Sequence, residues 1–286
     1  MLKFSDFYKH TQSCFSPNGS YVASVVDQKR LVIRNNTASL TIMHVFECQY
    51  IIQQWHWSPN SKHILVVNTD KSIIQVWSLM DIYWHGRIKD DSFGIRRVWW
   101  SADSTSILCS SEFKLRISVW MLTDNQVRYI QYPKFMEKGC EISPDGKYVA
   151  VIENRQGKEG ISIYTWSATA LFKHIITDTI DLCNIKWSPD SQFLAVWDNC
   201  LYYKLLVYGV DGLLHTSYQA YEHGLGIKSI GWSSDSNLIA IGSYDQKVRL
   251  LRTSDWKLVS EFYHPSTLDQ KFQKSAVSFD FLLYHF

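Results

Sequence analysis

An all-β fold assembled from six similar four-stranded units is what this sequence predicts, on three observations. A ten-residue phrase recurs six times: FSPNGSYVAS from Phe15, WSPNSKHILV from Trp57, WSADSTSILC from Trp100, ISPDGKYVAV from Ile142, WSPDSQFLAV from Trp187 and WSSDSNLIAI from Trp232. An apolar run follows each phrase at a nearly constant interval: LVIR from Leu31, IIQVW from Ile73, LRISVW from Leu115, ISIY from Ile161, KLLVY from Lys204 and KVRLL from Lys247. Both series advance by 42 to 45 residues, so two independent features share one period, which marks a repeat architecture. Third, no segment sustains the 3.6-residue periodicity of an amphipathic helix over the length a helix needs.

The first unit shows how each element arises. A short strand at 13–16 runs into Ser-Pro-Asn-Gly, a turn preset by the fixed φ of Pro and the freedom of Gly. Residues 21–25 form the second strand, 31–34 the third and 39–47 the fourth. The later units repeat the order, with third strands ending at Trp77, Trp120, Tyr164, Tyr208 and Leu251. Four-stranded units of this length are the blades of a β-propeller. The aromatic residues Trp57, Trp77, Trp100, Trp120, Trp187 and Trp232 recur at equivalent places and are expected to be blade core.

Composition narrows the function. With 46% apolar and 15% aromatic residues the chain can bury a large core. Its formal charge of +2, from 29 basic and 27 acidic side chains, provides no broad field to gather nucleic acid or anionic lipid. Short basic clusters such as Arg96-Arg97 and Lys271 to Lys274 read as solvated loops. The six cysteines, Cys14, Cys48, Cys109, Cys140, Cys183 and Cys200, include no C-x-x-C pair, which argues for reduced thiols. The N-terminus lacks an apolar signal core and no stretch is long and apolar enough to span a membrane, so a cytoplasmic location is expected.

Signatures of catalysis are missing. The chain has no phosphate-loop, zincin or nucleophile-elbow motif and no closely spaced His/Cys quartet, so an enzyme is not expected, nor a cofactor, nor a metal. His223-Gly224-Leu225-Gly226 has no following helix to offer an N-terminus, and reads as a flexible connection into the sixth unit. Asp90-Asp91 lacks a third ligand and reads as a solvated loop. His85, His174 and His264 each fall on an outer strand, too far apart in a propeller to share an ion. Arg96, Arg97, Trp99 and Trp100 could stack bases, but neighbours on a strand face opposite ways. Trp100 therefore belongs to the core, while Trp99 is a candidate surface residue.

The segment IKSIGWSSDSNLIAIGSYDQKVRLL, from Ile227 to Leu251, resembles the WD-repeat family. In that family an aspartate in the hairpin between second and third strands, a serine or threonine on the second strand and an aromatic on the third form a buried polar network. The resemblance implies that Asp245 and Ser243 take the first two roles, with Leu251 standing where the aromatic belongs. The Trp-Asp dipeptide itself is absent from the third strands: Ser78 follows Trp77, Met121 follows Trp120, and Trp197-Asp198 lies at the second strand of the fifth unit. Most blades are accordingly expected to rely on aliphatic and aromatic packing.

Longer stretches are similar to one branch of the family. SEFKLRISVW from Ser111, DTIDLCNIKWSPDSQFLAVWDNCLYYKLLVYGVDG from Asp178 and YEHGLGIKSIGW from Tyr221 resemble the WD-repeat protein of the centrosome and fungal spindle pole, over roughly Phe4 to Pro265. That resemblance implies a non-catalytic protein-binding scaffold that acts with a coiled-coil anchoring protein. Implied roles are holding microtubule minus ends, spindle assembly, centriolar satellites and cilium assembly. A scaffold for RNA or translation-factor complexes is the alternative. Residues 1–265 are expected to hold the blades and 266–286 a divergent tail that could begin one strand of an unfinished blade, in a shortened form whose ring is incomplete or open.

Overall fold

The computed structural model describes residues 12–37, 39–90, 94–135, 137–155, 157–166 and 170–263. His264, Asp91, Lys271 to Lys274 and the tail 266–286 lie outside them. The chain divides into two compact units, Met1–Gln131 and Tyr132–Phe286. Each holds three four-stranded antiparallel sheets in simple up-and-down order.

In the first unit the sheets are β1 (Gln12–Phe15), β2 (Tyr21–Val26), β3 (Arg30–Asn35) and β4 (Ile42–Glu47); β5 (Gln54–Trp57), β6 (His63–Asn68), β7 (Ile73–Ser78) and β8 (His85–Lys89); and β9 (Arg97–Trp100), β10 (Ser106–Ser110), β11 (Arg116–Met121) and β12 (Val127–Gln131). In the second they are β13 (Cys140–Ile142), β14 (Tyr148–Arg155), β15 (Lys158–Thr165) and β16 (Ala170–Ile176); β17 (Leu182–Trp187), β18 (Phe193–Asp198), β19 (Leu205–Gly209) and β20 (Leu214–Tyr218); and β21 (Ile227–Trp232), β22 (Leu238–Ser243), β23 (Lys247–Arg252) and β24 (Leu258–Tyr263). The fourth strand of the first sheet starts three residues later than the sequence predicts, because residues 39–41 form the approach to it and Leu40 takes a left-handed φ of 45°.

Burial follows strand position. Middle strands such as β6, β18 and β19 are covered on both faces and read as unbroken apolar runs, whereas outer strands such as β16 and β24 are mostly exposed. The core lies between consecutive sheets. Ala23, Leu31 and Ile33 pack with Ile64 and Val66 in the first unit, and Ile161, Ile163 and Ile185 with Leu194, Val196 and Leu206 in the second.

The repeated phrase explains itself through hydrogen bonds. The hydroxyls of Ser16, Ser58, Ser101, Ser143, Ser188 and Ser233 each donate to the Asn or Asp two residues on, at 2.5 to 2.8 Å. Each also accepts the backbone N–H five residues on, at 2.9 Å. The Asn or Asp oxygen then accepts a further N–H, so three side-chain bonds close every turn.

A second set of bonds ties one sheet to the next. Ser61, Ser104, Ser191 and Ser236 sit at left-handed φ near 60° and are buried. Their hydroxyls accept the backbone N–H of Asn18, Asn60, Asp145 and Asp190 in the preceding sheet, at 3.0 to 3.1 Å. The indole N–H groups of Trp57, Trp100, Trp187 and Trp232 donate to the preceding sheet's Cys14, His56, Glu141 and Lys186 carbonyls. At the first sheet of each unit Phe15 and Ile142 stand in place of the tryptophan, and Gly19 and Gly146 in place of the serine. Those two sheets receive such bonds and contribute none of their own.

Candidate interaction surfaces

Polar side chains inside the sheets form the first group of candidates. In the sixth sheet Ser243 Oγ donates to Asp245 Oδ1 at 2.5 Å, and Arg249 reaches both, donating to Ser243 Oγ at 2.8 Å and Asp245 Oδ2 at 2.5 Å. Arg249 is 5% exposed and also pairs with Glu261 at 2.9 Å. Burial works against the Asp245 charge, but hydrogen bonds from Arg249 and Ser243 outweigh it and lower its pKa. Leu251 is buried apolar core on the same strand as Arg249, so a cation two positions earlier completes a cluster that the sequence did not announce.

Other sheets carry polar clusters too, beside the aliphatic and aromatic packing on which most blades were expected to rely. Arg34 donates to the buried Ser24 hydroxyl at 3.0 Å in the first sheet. In the fourth, Tyr164 donates to the fully buried Glu153 at 2.5 Å, and Arg155 holds the other carboxylate oxygen at 2.7 Å. The carboxylate of Asp198, at the end of β18, accepts the backbone N–H groups of Ile180 and Asp181 at 3.0 to 3.3 Å. These groups stiffen blades and loops; each is enclosed by its own partners.

Of the recurring tryptophans, Trp100, Trp187 and Trp232 are buried, while Trp57, Trp77 and Trp120 are half-buried. The structure sets Arg97 over the Trp99 ring at 4.9 Å, as the two-residue spacing on one strand requires. His85 lies near the Tyr83 carbonyl and His174 against Ser162 Oγ, on separate sheets with unrelated partners. Asp90 is buried to 9% exposure and faces Arg116 at 3.6 Å, so it belongs to a partly enclosed ion pair rather than a solvated loop. Burial pushes the Cys48 thiol up to about 12, the behaviour of an inert core thiol.

An open hollow of about 570 Å³ borders β1 and β5, lined among others by Cys14, Phe15, Trp55, His56 and Trp57. Cys14 Sγ meets the carbonyl of its neighbour Phe15 at 3.4 Å, and burial followed by the Arg97 charge lowers the His56 pKa. No hydrogen bond joins the two as a nucleophile and base. Among the described residues no group of three or more His, Cys, Asp or Glu is placed to hold a metal ion. Nor does any described helix have the length and apolar character to cross a membrane.

The loops at one end of the fifth and sixth sheets are stitched together. Asn199 N–H donates to the Asp181 carbonyl at 2.9 Å, Gly226 N–H to the Cys200 carbonyl at 2.7 Å, and Tyr244 N–H to the Gly226 carbonyl at 3.1 Å. A Cβ on Gly226 would fall 2.1 Å from the Tyr202 carbonyl oxygen, so only glycine permits this approach. Gly226 is therefore pinned on three sides, where the sequence predicts a flexible connection, while His223, Gly224 and Leu225 before it are exposed. Beneath them Tyr203, 3% exposed, packs edge-on against Tyr221 at 4.7 Å, and Arg249 lies 5.6 Å from both rings.

Comparison with known proteins agrees with this architecture. The family described as WD domain, G-beta repeat matches residues 214–251. The chain is 46% identical over 270 residues to the Mus musculus WD repeat-containing protein WRAP73, covering 94% of this chain and 58% of that protein. It is 27% identical over 260 residues to an uncharacterized WD repeat-containing protein of Schizosaccharomyces pombe, covering 86% of this chain and 53% of that one. The chain thus spans little more than half the length of either relative. In fold alone it is similar to the Cps50 (Swd1) β-propeller domain of Myceliophteria thermophila, with a TM-score of 0.50 and 12% identity, covering 90% of this chain and 87% of that one. With its six four-stranded sheets, its repeated turn phrase and this likeness along nearly all of its length, the chain belongs to the WD-repeat family and has a β-propeller fold.

Proposed function

We propose that the protein is a non-catalytic scaffold that binds other proteins at the centrosome or spindle pole. The observation that carries this reading is the 46% identity to WRAP73 along 94% of the chain, because identity at that level over nearly the whole chain exceeds what a shared fold alone demands. The geometry supports the same reading. Its buried polar clusters are occupied with holding sheets and loops in place, and large apolar and aromatic side chains such as Ile82, Tyr83 and Leu201 stand exposed. The natural partner is a coiled-coil anchoring protein, and the roles that go with it are minus-end anchoring, spindle assembly and cilium assembly.

Proximity labelling in dividing cells tests this. The tagged full chain should enrich pericentrosomal proteins, including a coiled-coil component, over a tagged unrelated propeller. Uniform cytoplasmic labelling with no such enrichment would overturn the reading.

A further inference from the structure

The stitched loops of the fifth and sixth sheets present five large apolar side chains to solvent. Ile180 is 65% exposed, Leu201 61%, Leu225 49%, Tyr244 45% and Tyr202 38%. They come from four segments distant in sequence, and the backbone bonds from Asp181 to Asn199, Cys200 to Gly226 and Gly226 to Tyr244 draw those segments into one surface. Nothing in sheet formation requires apolar residues here, since loop ends are usually polar. The surface is also ordered in advance. Asp198 holds the backbone of Ile180 and Asp181, Asn199 Oδ1 accepts the Leu201 N–H at 2.8 Å, and the Tyr221 hydroxyl donates to the Leu225 carbonyl. A rigid apolar surface loses little conformational entropy on binding.

The charges around it choose the partner. Lys204 is paired with Asp178 at 2.7 Å, and Lys134 with Asp181 and Glu159 at 2.5 Å. These cations are already satisfied, and Lys228 lies on β21 instead of in the loops. Glu222, exposed beside Tyr221, makes no ion pair among the described residues. An anionic lipid surface would meet Glu222 beside the apolar side chains, and the exposed Lys138 and Lys228, which make no ion pair among the described residues, lie outside the four loop segments; a protein segment with a basic residue flanking its apolar side chains would meet its complement.

We propose that Ile180, Leu201, Tyr202, Leu225 and Tyr244 form a docking surface for an amphipathic segment of a partner protein, with a lysine or arginine of that segment set against Glu222. This rests on the scaffold reading and assigns it a surface.

The test uses the purified full chain and a phage-displayed library of random linear peptides. Enriched peptides should combine leucine, isoleucine or aromatic residues with a nearby Lys or Arg. Their affinity, measured with the synthetic peptides, should fall at least ~10-fold in L201D/L225D, with the thermal midpoint unchanged. Glu222→Lys should shift preference toward peptides in which the basic residue is replaced by Glu. Because L201D/L225D introduces two charges, the milder I180S and Y244S variants read the same surface if the double variant unfolds. The proposal is overturned if no peptide is enriched, if enriched peptides are acidic, or if their binding ignores all these substitutions. It is also overturned if the surface instead binds vesicles of four parts phosphatidylcholine to one of phosphatidylserine in a manner lost in L201D/L225D. Peptides that bind elsewhere on the chain remove this surface but leave the scaffold reading, which stands or falls on the labelling experiment in cells.

Discussion

At the scale of single residues, two side chains show how opposed terms set stability. Ser191 holds a left-handed φ of 61°, which costs an L-residue about 1 kcal/mol, and recovers a similar amount by accepting the Asp145 N–H. Ser191→Ala keeps the strain and leaves the Asp145 N–H without its partner, so it should lower stability by about 1 kcal/mol. Ser191→Gly loses the bond and removes the strain, and should lie within about 0.5 kcal/mol of the parent. Denaturant titration of both variants checks the ranking, and an alanine variant as stable as the glycine one would refute it. Glu141 is different: burial raises its pKa to about 7, against opposing pulls from the Trp187 N–H and the Lys186 charge. Between its ordinary value of 4.5 and about 7, the folded chain keeps a proton that the unfolded chain releases. Its contribution is therefore present in full below that window and is lost as pH rises through about 7. Glu141→Gln, which can still accept the Trp187 N–H, should remove this slope and add about 2 kcal/mol at pH 8, read from unfolding midpoints at pH 5 and 8.

At the scale of strands and loops, the sequence was most readable where one physical cause dominates. The six turns were legible because Ser with Asn or Asp two residues on recurs in every one, helped by Pro in four and Gly in two, and the third strands because β-branched runs have one comfortable place. Arg249 was not legible. A cation in KVRLL reads as a solvated residue, and only the sheet brings Ser243, Asp245 and Glu261 around Arg249. Gly226 was misread for the opposite reason, since glycine marks both mobility and close approach, and the Tyr202 carbonyl decides between them. The Trp and Ser pairing between sheets was visible in principle: Trp57, Trp100, Trp187 and Trp232 are each followed four positions later by Ser, whereas Phe15 and Ile142 are followed by Gly. Two predictions belong here. Asp245→Ala should cost about 1 to 2 kcal/mol, less than a fully buried pair would, because Asp245 is partly exposed and Glu261 still faces Arg249. Gly226→Ala should cost more, on the order of 3 kcal/mol, and should speed amide exchange in residues 199–204 and 221–226, since backbone and not a flexible side chain must give way.

At the scale of the whole molecule, the division into Met1–Gln131 and Tyr132–Phe286 coincides with the two sheets that lack the tryptophan and serine. Stability should then be distributed by unit. Ser191→Ala is expected to raise hydrogen exchange through sheets of the second unit while leaving protection of β2, β3, β6 and β7 unchanged. A uniform rise across both units would contradict that expectation. The function proposed here also belongs to this scale, because a scaffold is defined by which surfaces are presented together.

The serine and indole couplings have a polarity. Every sheet that carries them reaches backward, its indoles donating to carbonyls and its serine hydroxyls accepting N–H groups of the predecessor, while the predecessor offers only main-chain atoms. A grammar follows for recombination. A module of the Trp-Ser kind can be transplanted behind any other and bring its own fastening, whereas one of the Gly kind is suited to lead a series. Engineered chimeras that respect this word order should assemble, and those that place a Gly-type module mid-series should be loose at that joint.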